Sequence, residues 1–183
     1  QRHLSILDDA IGELMEEHPD VTLMLTADHG MSAKTRMVDL RSALAGYGIE
    51  AIPVPIIKDR YVVHHANLGG CMFVYFDAGK SRQISEGVKV LRETPGVQAA
   101  LSREEAAAKY DLHYDRIGDI FVTGEPDVVF GDSSEVELPP RLRSHASTHE
   151  RRVPLLGYNG DFEGFSFEEN RDIGRYLFER VLA

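Results

Sequence analysis

Apolar positions along the chain switch between helical spacing and short β-branched runs, the pattern of an α/β protein. Leu4, Leu7, Ile11 and Leu14 recur at helical spacing with charges between them as far as Glu17, which predicts an amphipathic first helix. Pro19-Asp20 breaks it, and Val21-Thr22-Leu23-Met24-Leu25 has the length and branching of a buried strand. Residues 32–36 read as a polar loop and 38–45 as a helix closed by Gly46-Tyr47-Gly48. Residues 51–57 form a strand that Pro53 and Pro55 confine to an edge or an irregular place. A turn at Asn67-Leu68-Gly69-Gly70 leads into a strand at 71–76. Residues 81–93 are an amphipathic helix stopped by Pro95-Gly96, and 97–101 a short strand. A helix to Tyr110 opens with the capping box Ser102 and Glu105.

Residues 119–122 and 127–130 look like paired strands joined through Gly124-Glu125-Pro126, and 133–144, with Pro139-Pro140, like a surface loop. A strand at 153–157 follows, then a last helix with Ser166 as N-cap and Glu169 three residues on, carrying Phe167, Ile173, Tyr176, Leu177 and Val181. The whole, 1–183, reads as a single domain, with about 58–118 as a small inserted α+β subdomain. A helix with a sheet-facing stripe normally follows a strand. None precedes this one and no initiator Met opens the chain, so it reads as the later part of a longer protein.

Composition narrows the partners. Hydrophobic residues make up 43% and charged residues 27%, as in ordinary soluble proteins. No apolar run approaches the ~20 residues that span a bilayer, and nothing at the start reads as a signal peptide. The single cysteine, Cys71, excludes an internal disulfide and fits a reducing, cytoplasmic compartment. Its strand context makes it a buried, inert thiol. A net charge of −10 argues against nucleic acid, so a small anionic substrate would need local cations or metals to hold it.

Two stretches carry candidate chemistry. Asp28-His29-Gly30 sits at the end of the first strand, where chemistry collects in open α/β sheets. Neighbours inside a strand face opposite ways, whereas at a turn Gly30 supplies the freedom for both side chains to converge. A carboxylate beside an imidazole suits zinc or a similar ion; the competing reading is a turn Asp beside a solvated His. Lys34, on the following loop, could neutralise anionic charge or be solvated. His64 and His65 are adjacent in a strand-like pattern, so at most one of them can face a given site. The second stretch is Arg143-Ser144-His145-Ala146-Ser147-Thr148-His149-Glu150. His145 and His149, four apart, would share a helix face, but the flanking Ser and Thr residues and the strand after them argue against a helix. As two unrelated loop histidines they would mean little.

Thr-Ala-Asp-His-Gly-Met after a hydrophobic strand, then a distant Ser-His-x-x-x-x-Glu before Arg-Val-Pro-Leu-Leu, resembles the alkaline phosphatase superfamily. The branch it resembles is that of type I phosphodiesterases and nucleotide pyrophosphatases, and within it most the phosphonoacetate hydrolases. Lys34, the segment Ile57-Lys58-Asp59-Arg60 and Arg116-Ile117-Gly118-Asp119 support the narrower likeness. The resemblance implies an alkaline-phosphatase-like α/β fold, a mixed sheet flanked by helices, with the N-terminal part of the fold missing. It implies that Asp28 and His29 are ligands of one zinc, which also binds the nucleophile, and that His145 is a ligand of a second. His149 is then a neighbour, although chemistry alone does not choose between the two histidines. Ala146 stands where the family usually has Gly. Arg60 is a candidate for gripping a substrate carboxylate, against a surface salt bridge, with Lys34 and His64 as further substrate-binding candidates.

Two metals ~4 Å apart can serve an in-line phosphoryl displacement, and at about three protein ligands each they need roughly six. Three are found here. The other ligands and a Thr or Ser nucleophile are expected upstream, so no catalytic residue is assigned in this segment, which alone is expected to be inactive. The expected parent enzyme is a hydrolase with two zinc ions that cleaves the C–P bond of phosphonoacetate to acetate and phosphate. The alternatives are a nucleotide phosphodiesterase or pyrophosphatase, and a non-catalytic metal-binding fragment. No nucleic-acid or membrane partner is expected, and a homodimer is left open.

Overall fold

The computed structural model describes residues 2–56, 68–131, 138 and 140–182. They fall into two compact units, one of Gln1–Asp28 with Val153–Ala183 and one of His29–Arg152.

The larger unit is built on a four-stranded antiparallel sheet, β4 (Ile52–Pro55), β5 (Cys71–Tyr75), β7 (Ile120–Gly124) and β6 (Val97–Ser102), in that spatial order. The two prolines lie in β4, which is an edge strand, because a residue without N–H cannot serve a ladder on both sides. The alternation of β5 and β7 divides their side chains between two cores. Met72, Val74, Ile120 and Val122 pack with Val88 and Leu91 of α3 (Ser81–Glu93) and with Leu40 and Leu44 of α2 (Leu40–Ala45). Cys71 and Phe121 pack on the other side with Ile117 and with Ala106 of α4 (Arg103–Tyr110). Burial on both faces is why these strands read as unbroken apolar runs. The capping box of α4 forms between Ser102 and Glu105 as its spacing predicts.

The segment expected as a loop, 32–36, instead supplies strand residues. β2 (Ser32–Ala33) pairs antiparallel with β9 (Arg143–Ser144), and β3 (Arg36–Val38) pairs in parallel with β8 (Val128–Phe130). β8 therefore does not pair with β7. Both edges of β7 are taken by β5 and β6, so the chain after Pro126 turns away and finds β3. Arg36 clamps this arrangement from the side, donating to both carboxylate oxygens of Asp127 and to Glu125.

In the smaller unit β1 (Leu23–Thr26) pairs antiparallel with β10 (Leu155–Tyr158). An aromatic cluster of Phe162, Phe165, Phe167 and Tyr176 packs beside α5 (Arg171–Tyr176), with Arg175 over the Phe165 ring at 4.2 Å. The last helix begins at Arg171, later than the cap expected at Ser166. The Asp172 carboxylate, inside the helix, takes the amide N–H groups of Glu168 and Glu169, which closes that stretch as a turn. The first helix, α1 (Arg2–Glu17), forms as predicted, but its apolar stripe is not buried: Leu4 is 71% exposed and Leu7 59%. Among the described residues, no helix is long and apolar enough to cross a membrane.

Candidate metal centre

Past the end of β1 the backbone is held by Asn170, whose amide nitrogen donates to the Ala27 carbonyl at 2.9 Å and whose oxygen accepts from the Thr26 hydroxyl at 3.1 Å. Asp28 follows at an exposed bend and ends the smaller unit. His29 opens the larger one. Its Nδ1 lies 2.9 Å from the Gly30 carbonyl, which can only accept, so Nδ1 is the donor in this contact and Nε2 is the ring nitrogen a metal would take. His145 directly follows β9. The β2–β9 register sets Ser32 opposite Ser144, so the residues just before β2 run alongside those just after β9. The His29 and His145 rings stack with centroids 3.8 Å apart and planes 9° from parallel.

The loop carrying His145 is fixed at Ser144, His145 and Ser147. Ser144 is buried and its hydroxyl donates to the Leu68 carbonyl. The His145 carbonyl accepts from the Gly70 amide at 2.8 Å. A Cβ on Gly70 would fall 2.5 Å from the Ser147 Cβ, so only glycine admits the loop at this distance. Gly70→Ala should therefore displace Ser147 and cost about 1–3 kcal/mol, read by urea unfolding; an unchanged midpoint would show that the loop adapts freely. Ala146 has φ +69°, in the region where glycine is at home. Ala146→Gly relieves about 1–2 kcal/mol of strain and gives back roughly half of that as chain entropy, so a small rise in melting temperature is expected.

Glu150 lies at the centre of this arrangement. It is 4% exposed, and its backbone carbonyl accepts from the Gly30 amide at 2.7 Å. One carboxylate oxygen accepts from Lys34 Nζ at 3.0 Å and from the Ser32 hydroxyl. The other accepts from the Ser147 amide at 2.9 Å and the Ser147 hydroxyl at 2.6 Å. Burial pushes this carboxyl up, but the hydrogen bonds from Ser147, Ser32 and Lys34 overcome it and bring its pKa to about 2. A depressed carboxylate stabilises the fold fully above its ordinary value of 4.5 and loses that contribution as pH falls toward about 2. The shift corresponds to on the order of 3 kcal/mol. Urea unfolding between pH 5 and pH 2 should show this slope in the parent chain and lack it in Glu150→Gln; equal slopes would assign it to other carboxylates.

The donor chemistry fits a divalent ion such as zinc: the His29 imidazole held through Nδ1, the His145 imidazole stacked on it, and Asp28 adjoining His29 in sequence. Among the described residues, no group of three or more His, Cys, Asp or Glu is gathered closely enough to hold a metal ion by itself. Residues 1–151 match the family model of type I phosphodiesterase / nucleotide pyrophosphatase. The chain belongs to this family.

Its structure is similar to that of phosphonoacetate hydrolase from Sinorhizobium meliloti 1021 in complex with phosphonoacetate. The two are 31% identical with a TM-score of 0.71, over 82% of this chain and 38% of that one. The same enzyme in complex with phosphonoformate gives a TM-score of 0.72. Human ectonucleotide pyrophosphatase / phosphodiesterase 5 shares the fold, at 16% identity and a TM-score of 0.57, over 86% of this chain and 40% of that one. The chain thus spans 38% of the length of the phosphonoacetate hydrolase that it matches.

The other residues singled out in this family member have distinct fates. Lys34 is neither solvated nor open to a substrate: its ammonium is buried and engaged by Glu150 and, at 2.8 Å, by the Pro126 carbonyl. Arg60, His64 and His65 lie outside the described residues. His149 stands on a single turn, Thr148–Glu150, and its Nε2 lies 3.1 Å from the side-chain oxygen of Gln98. Gln98 sits where a bulge shifts the β6 register, a device that re-aims a side chain. Cys71 is buried, and its thiol is pushed up to about 12 by burial, with the Glu150 charge adding to it. Sequence reading missed Gly70, Asn170 and the internal role of Glu150. For Glu150 the signal was the Ser147-x-x-Glu150 spacing, which is a capping box and forms as one.

Proposed function

We propose that Asp28, His29 and His145 are ligands of a two-metal centre in a hydrolase that cleaves a phosphorus bond, with phosphonoacetate as substrate. The stacking of His29 on His145, across a ladder that joins distant parts of the chain, carries the reading. Asp28 and His29 would hold one ion, and His145 would contribute to the other. The remaining ligands and the nucleophile lie beyond these three residues. When bound, the two divalent ions would polarise the phosphoryl oxygens and activate the nucleophile. Arg60 is assigned to the substrate carboxylate, which would both orient phosphonoacetate and stabilise charge on the departing carbon. Hydrolysis breaks the C–P bond, the carbon takes a proton, and acetate and phosphate leave.

The narrower substrate is supported by the 31% identity to phosphonoacetate hydrolase, while the family model favours a second reading, a nucleotide phosphodiesterase. The full-length protein should be assayed with phosphonoacetate and with a nitrophenyl phosphodiester, before and after chelation and zinc return. Zinc-dependent release of acetate and phosphate is the expected result. Hydrolysis of the diester alone would overturn the phosphonoacetate assignment in favour of the second reading.

A further inference from the structure

We propose that Glu150, with Lys34, is the positioning residue that sets the register in which His145 meets His29. The β2–β9 ladder has only two residue pairs, Ser32 with Ser144 and Ala33 with Arg143. A ladder that short specifies its register weakly, and a slip of one residue would send every side chain on it to the opposite face. His145, next after the ladder, would then leave His29. The Lys34 amide donates to the Leu142 carbonyl at 3.0 Å and Arg143 to the Met31 carbonyl at 2.7 Å beside the ladder, and the buried side chain of Glu150 adds the contacts that select this alignment over a slipped one. The carboxylate of Glu150 accepts from Ser32 and Lys34, which follow His29 closely, and from Ser147, two residues after His145, while its backbone carbonyl accepts from Gly30.

The pair's burial points the same way. The Lys34 and Glu150 side chains are 0% and 2% exposed. A buried ion pair seldom stabilises a fold more than apolar side chains of the same volume, and its best-attested use is to select one arrangement among several. A capping box on a single exposed turn would need no buried lysine. Hydrogen bonds from both segments onto one carboxylate are directional and fail together if either segment slides. The carboxylate contacts of Glu150 are with Ser32, Lys34 and Ser147, on the segments that carry the imidazoles, and it acts through those segments.

The role toward metal rests on the metal-centre reading, whereas the register itself can be tested without metal. In the full-length protein free of metal, NMR contacts between the His29 and His145 ring protons are measured in the parent, in Glu150→Gln and in Lys34→Met. Affinity for Co2+ and its visible spectrum are measured in parallel. Val88→Ala, in the core of the four-stranded sheet, serves as a control for lowered stability. Loss of the ring contacts in both pair variants, with Co2+ binding roughly 10–100-fold weaker and a changed spectrum, is the expected result. Val88→Ala should keep parental contacts and affinity. Ring contacts and affinity retained in Glu150→Gln and Lys34→Met would overturn the proposal, as would an equal loss in Val88→Ala. Parental Co2+ affinity in His145→Ala would overturn the metal reading instead, with the ring contacts still deciding the register.

Discussion

Asp28→Ala should lower kcat/KM of the full-length protein toward phosphonoacetate by roughly a thousandfold or more while leaving the fold intact. The two halves of this expectation have separate causes. Asp28 lies at an exposed bend, so truncating its side chain empties no core, and substitutions at such places change stability by about 0.5 kcal/mol or less. The strand end before it is held by Asn170 through Ala27 and Thr26, and those bonds survive the change. On the proposed two-metal reading, what is lost is one anionic ligand beside the imidazoles of His29 and His145. Steady-state kinetics and a melting curve on the same preparation decide the matter. Activity near the parental level would remove Asp28 from the ligand set.

Glu150→Ala should have the largest effect on stability, about 3–5 kcal/mol. That is a large share of the roughly 5–15 kcal/mol that keeps an ordinary domain folded. The variant leaves the Lys34 ammonium buried with the Pro126 carbonyl as its described partner and strips the Ser147 amide of its acceptor. Lys34→Met should cost less, because Ser32 and both Ser147 donors still serve the carboxylate. The double variant Lys34→Met/Glu150→Leu should recover part of the loss, since no uncompensated charge remains. Urea unfolding of the three variants measures this. A fall below about 1 kcal/mol in Glu150→Ala would mean that water enters the vacated space and solvates the lysine.

Local grammar was readable in the sequence, and contacts across long separations were not. The Ser102–Glu105 cap, the helix at Ser81–Glu93 and the edge position of the Pro53–Pro55 strand follow from neighbours a few residues apart, and the structure has all of them. Asp28 and His29 stood out because two metal-binding residue types adjoin at a strand end, and His145 because of its resemblance to a family motif. The pairing of β8 with β3 depends on which edges of β7 are already occupied, a fact of topology with no local trace. Lys34 looked like a loop lysine because its partner lies 116 residues away. Ser166 had the right spacing for a cap and lost the position to Asp172, which reaches the same amides from inside the helix.

The two-rung ladder between β2 and β9 also has a kinetic meaning. Met31 and Arg143, joined by a hydrogen bond at its edge, are 112 positions apart. Closing so long a loop costs about 4 kcal/mol beyond a constant, and two rungs repay little of it. The strands of the four-stranded sheet are closer in sequence and can assemble earlier, at lower entropic cost. The stacked imidazole pair is thus expected to form late in folding, after the rest of this unit has taken shape.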